Sequence, residues 1–162
     1  MEQTPLTLFN LCTPLQYNKS ECQDPSLLKY EKLENEEIIL CYEVNPIQGC
    51  SIEPERDYFL GKLMFIGQKL PESKVASASS ATKGTDETER NNLVLLPQGN
   101  YLFTQCRSDT VLNSDEWLDL AIEQQKDGLW ERNKLLNLLY IRFLFEDGSF
   151  VTQVFRTVKI AP

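Results

Sequence analysis

The chain contains no histidine, and that one absence removes more chemistry than any residue present adds. Ser-His and Cys-His nucleophile pairs need an imidazole as base, and imidazole is the commonest metal ligand. A metal site would have to be built from thiolate and oxygen ligands alone. No Cys-x-x-Cys pair starts such a site, because the five cysteines stand at 12, 22, 41, 50 and 106. An odd number without paired spacing is also a poor disulfide framework. Cys41 lies in an apolar run and Cys106 ends a strand pattern, so both read as small core residues. The expectation is a protein with no metal, no cofactor and no enzymatic activity.

Long apolar runs and basic clusters are missing too. No stretch approaches the roughly 20 residues that span a bilayer as a helix. The N-terminus carries an acid where a signal peptide would carry bases, so a cytoplasmic location is expected. Sixteen Lys and Arg against 24 Asp and Glu leave a net charge of −8. The bases are scattered singly, as at Lys62, Lys69, Lys83 and Arg90. Such a surface repels phosphate backbones and anionic lipid, so neither nucleic acid nor membrane is expected as a partner. The acidic balance otherwise reads as solubility.

A length of 162 residues fits one domain with a single core. Within it, Pro71–Asn92 reads PESKVASASSATKGTDETERNN, without periodicity. A run of that composition inside a domain reads as a flexible linker. It divides the chain into a first half, 1–70, and a second half, 93–162, joined by residues 71–92.

The second half opens with the apolar run Leu93–Leu96, a turn at Pro97-Gln98-Gly99 and an alternating strand, Tyr101–Cys106. Asn113 or Ser114 is a suitable helix cap, followed by acids at 115 and 116 and an apolar stripe at Trp117, Leu118, Ala121 and Ile122. Gly128 reads as the stop. Leu135–Phe145 and Phe150–Ile160 are long strand patterns around Asp147-Gly148, a two-residue hairpin signal. The first half repeats this order: a strand at Leu6–Leu11, a helix from Asp24-Pro25 to about Lys32, and strands at Glu37–Val44 and Tyr58–Ile66. The fold expected is therefore α+β, with two β-α-β-β units forming antiparallel sheet and helices packed on one face.

The hairpin divides its residues between two faces. With Glu146 opposite Ser149, one face holds Leu139, Ile141, Phe143, Phe145, Phe150, Thr152 and Val154, and reads as core under a helix. The other holds Leu138, Tyr140, Arg142, Leu144, Val151, Gln153 and Phe155, mostly apolar with a few polar groups, as a ligand cleft is. Candidate ligand-binding residues are Tyr101, Phe103, Trp130, Tyr140, Arg142, Gln153 and Phe155. Tyr101, Phe103 and Trp130 can equally be core, as can Trp117. Arg142 can equally pack its stem and send its head to water. Glu36 and Glu37 point to opposite faces of a strand start, so they read as solvated and not as an acid–base pair.

Leu96, Pro97, Gly99 and Tyr101, followed by helix, strand and strand, resemble the second half of the gyrase-inhibitor-like effector-binding family. The resemblance implies a pocket between two β-α-β-β halves that takes small molecules. It is to the standalone form, since no DNA-binding head precedes Leu6. Members place a glutamate two positions before a strand tyrosine. With Tyr140 as that tyrosine, Leu138 occupies the position, so a neutral or anionic ligand is expected instead of a cation. The function expected is a non-enzymatic small-molecule-binding or regulatory module. The alternative is an acidic module for a protein partner, gyrase-inhibitor-like or other. A hydrolase using carboxylates and tyrosine stands third.

Overall fold

Ile38 and Leu40 point to one side of their strand, Ile39 and Cys41 to the other, and all four are buried. A strand apolar on both sides must be covered on both. The computed structural model describes residues 2–20, 24, 36–45, 59–69, 93–130 and 134–159, with the backbone alone for Glu2, 126–130 and Lys134. In chain order the strands are β1 (Glu2–Gln3), β2 (Thr7–Leu11), β3 (Leu15–Lys19), β4 (Glu37–Val44), β5 (Leu60–Lys69), β6 (Leu93–Leu96) and β7 (Gly99–Ser108). The helix α1 (Ser114–Trp130) follows, then β8 (Lys134–Glu146) and β9 (Ser149–Lys159).

The nine strands form one antiparallel sheet, ordered β1-β7-β9-β8-β4-β5-β3-β6, with β2 beside β1 on the same edge of β7. The sheet curls until its ends meet. β2 pairs with β7, from Thr7 opposite Phe103 to Leu11 opposite Gly99. Three residues later, β3 pairs with β6, Leu15 opposite Leu96, and its far end pairs with β5. Two bent strands, β2–β3 and β6–β7, thus close the ring. The second bend is pinned by the Tyr101 hydroxyl, which donates to the Pro97 carbonyl.

The α+β expectation of two β-α-β-β units with helices on one face is overturned. The protein is mainly β, with one helix among the described residues, and strands from the two sides of 71–92 pair with one another in one sheet. β4 lies directly against β8, Ile38 opposite Phe143 and Glu43 opposite Leu138. The repeat rested on element order, which does not specify pairing, and Leu15–Lys19 carried no strand signal strong enough to be read. The helix expected at Asp24–Lys32, Asp24 apart, and the linker 71–92 lie outside the described residues.

On the convex side, α1 covers Ile38, Leu40, Phe143, Ile141, Leu139 and Val154 with Trp117, Leu120 and Ala121. Its start is fixed by a reciprocal cap. The Glu116 amide donates to Asn113 Oδ1 (2.9 Å) and the Asn113 amide to Glu116 Oε1 (3.1 Å). Trp117 stacks obliquely on Tyr42, ring centroids 5.7 Å apart. Buried Gln124 rivets the helix to the sheet, its amide nitrogen donating to Thr104 Oγ1 (3.2 Å) and to the Val154 carbonyl (2.8 Å).

β8 carries a bulge. Leu135 faces Val158 and Leu139 faces Arg156, so residues 136–138 oppose Thr157 alone. Side chains replace the missing ladder bonds: Arg156 Nε donates to the Leu136 carbonyl (2.6 Å), and the Leu138 amide donates to Thr157 Oγ1 (3.2 Å). Arg156 also donates to Gln125 Oε1 (3.1 Å), and burial pulls its pKa down to about 10.

The concave side is filled by Tyr17, Ile39, Cys41, Leu96, Tyr101, Tyr140 and Phe155. Gly67 shows how tightly. A Cβ there would meet Ile39 Cγ2 and Tyr17 Cβ, each at 2.8 Å, and Val94 Cγ2 at 3.0 Å. Tyr17 Cβ cannot swing aside, because it is anchored to the β3 backbone. Gly67→Ala is therefore expected to destabilise by about 1–3 kcal/mol through overpacking. Denaturant unfolding checks this, and an unchanged midpoint would mean that the interior is loose.

Candidate functional site

Six of the seven residues singled out from the sequence meet on the concave face. Tyr101, Tyr140 and Phe155 are buried in its floor, and Phe103 is half-buried beside them. Tyr101 and Phe155 meet edge to face at 5.6 Å, and Phe103 lies 5.0 Å from Phe155. Phe9 from β2 extends this shelf to the surface, 5.3 Å from Phe103 and itself 38% exposed. The seventh is Trp130. It closes α1, which packs on the opposite face, and its side chain lies outside the described residues.

Above the aromatic floor a row of polar side chains crosses the curl. Arg142 donates from Nε (3.1 Å) and Nη2 (2.8 Å) to Glu37 Oε2. Its Nη1 donates to Gln153 Oε1 at 2.9 Å. Gln153 Nε2 donates in turn to Gln105 Oε1 at 2.8 Å. The Tyr17 hydroxyl adds a third bond to Glu37 Oε2, at 3.2 Å. The row thus runs from β7 through β9 and β8 to β4, with β3 supporting its far end. It touches solvent: the Arg142 and Glu37 side chains are 17% and 23% exposed.

The sequence reading took Glu37 as a solvated strand start. Its carboxylate instead turns inward to pair with Arg142, 105 residues away. Gln105 and Tyr17 were also missed. Gln105 had a usable signal, as it follows Tyr101 and Phe103 at the alternate positions of one strand face. Tyr17 had none, because β3 itself was not foreseen.

Burial governs the titration of the floor. Burial pushes the Cys41 thiol up to about 12, with Tyr140 opposing. Burial, then neighbouring Cys41, pushes Tyr101 up to about 12. Burial, then Cys41 and Tyr101, raises Tyr140 above its ordinary range. Tyr17 is raised chiefly by burial, with Arg142 opposing and Glu37 adding. Arg142 would be lowered by burial, but Tyr17 and Glu37 hold it above its ordinary value.

The raised phenols have a stability consequence. Above about pH 10 the unfolded chain loses phenolic protons that the folded chain keeps, so stability falls as pH rises. Each such group contributes a slope of up to about 1.4 kcal/mol per pH unit. Denaturant unfolding between about pH 9 and pH 12 should show this loss, shallower in Tyr140→Phe. Equal slopes in the two proteins would mean that the Tyr140 hydroxyl titrates as if exposed.

Comparison with protein-family models finds no match to this chain, and a search of curated proteins finds none.

Proposed function

We propose that this protein is a non-enzymatic binding module for a small molecule, held on the concave face over the row Gln105, Gln153, Arg142 and Glu37. The supporting observation is the row itself, a side-chain hydrogen-bond chain that reaches solvent directly beside an aromatic shelf. Mostly apolar surface with a few fixed polar groups is what orients a small ligand. Arg142 serves as the hub: its donors go to Glu37 and Gln153, so it positions the glutamines, and these meet the ligand. Phe103 and Phe9 supply the apolar contact. The raised thiol and phenols leave no activated nucleophile in the floor, which favours binding over catalysis.

Amide NMR with a library of small polar heteroaromatic compounds tests this reading. Saturable shifts are expected at the side-chain amides of Gln105 and Gln153 and along β7 and β9, and are expected to weaken in Gln105→Leu. Shifts confined to the convex side, or none that saturate, would overturn it.

Leu93 and Leu95, 42% and 41% exposed on the outer side of β6, favour a second reading as a protein-interaction module. Leu93→Ser with Leu95→Ser would leave the small-molecule titration intact and abolish only a protein contact.

A further inference from the structure

The hydrogen-bond row has a direction. Arginine has donors only, so Gln153 must present its carbonyl oxygen to Arg142 and its NH₂ to the next residue. That NH₂ finds the carbonyl oxygen of Gln105, which leaves the Gln105 NH₂ pointing out of the row. At the other end a carboxylate only accepts, and Arg142 and Tyr17 all donate to Glu37 Oε2. Among the described residues nothing donates to Glu37 Oε1. The row thus ends in a donor on β7 and an acceptor on β4, and both amide orientations follow from Arg142.

We propose that the ligand is an elongated molecule with a hydrogen-bond acceptor at one end, for Gln105 Nε2, and a donor at the other, an N–H or ammonium, for Glu37 Oε1. This rests on the binding reading above and names the ligand class for the same site. Gln105 and Glu37 are three strand steps apart and two residues out of register, about 16 Å between backbones at about 4.8 Å per step and about 3.4 Å per residue. Side chains on a concave face converge, so a ligand about 8 Å long bridges them once about 3 Å is allowed for each terminal hydrogen bond. An ω-amino amide or a short peptide has this length and polarity. Its apolar middle crosses β9 and β8 between the row and Val151 and Leu144.

Three probes of equal length separate the possibilities by titration calorimetry and amide NMR. 6-Aminohexanamide has a donor and an acceptor end, hexanedioate has two acceptor ends, and 1,6-diaminohexane has two donor ends. The first should bind at least about tenfold more tightly than either of the others, a difference of about 1.4 kcal/mol. Gln105→Glu turns the donor end into an acceptor and should move the preference to 1,6-diaminohexane. This gain cannot come from a misfolded variant. Equal binding of the three probes, no binding of 6-aminohexanamide, or an unmoved preference in Gln105→Glu would overturn the assignment. If library compounds still saturate the concave face in that case, the binding reading survives and only the end-to-end polarity falls. If nothing saturates that face, both fall.

Discussion

Phe143→Ala is expected to destabilise the protein by about 3–5 kcal/mol in denaturant unfolding. The ring is 1% exposed and lies in the convex-side core between β8 and α1, opposite Ile38. Truncation removes the transfer free energy of the ring. It also leaves a cavity that cannot collapse, because Phe143 is held between two hydrogen-bonded strands, β4 and β9, and the helix. A loss below about 1 kcal/mol would mean that the two faces of β8 are reversed, with Phe143 on the wetter one.

Arg142→Met is expected to cost about 3 kcal/mol, near the low end for breaking a buried ion pair because both partners keep some exposure. Most of that cost is the stranded Glu37 carboxylate, which loses two bonds from Arg142 and keeps only Tyr17. Gln153 Oε1 loses its donor as well. The diagnostic comparison is the double variant Arg142→Met with Glu37→Met. It should be more stable than Arg142→Met alone, since two apolar side chains replace two desolvated charges. If the double variant loses the sum of the two single losses, the side chains are not coupled and the row is not a unit.

The local elements were largely legible. The hairpin turn is as read, with Asp147 and Gly148 both at positive φ (53° and 77°) and Glu146 opposite Ser149. The division of that hairpin into a helix-covered face and a second face with Arg142 and Gln153 follows from the period of two, which the sequence carries directly. The curl was not legible, because it depends on which strands pair. Residues 7–11 bond to residues 99–103, and nothing local to either segment records that. The one available hint was β4, whose unbroken apolar run already called for cover on both sides. Glu37 was misjudged for the same reason. Its neighbour in sequence, Glu36, suggested a wet strand end, whereas its partner Arg142 lies on a strand far along the chain.

The closing ladder also has a temporal side. β8 and β9 are joined by a two-residue turn and can zip at once, whereas Leu8 must find Leu102 and Leu15 must find Leu96 across about half the chain, and Ile38 must find Phe143 from farther still. Loop-closure entropy rises with the logarithm of that separation, and long-range pairing slows folding. The β2–β7 ladder is therefore expected to form after the β8–β9 hairpin. Phe9 belongs to that seam and shelters Phe103 and Phe155. Contacts expected to form after the hairpin thus also roof the aromatic shelf.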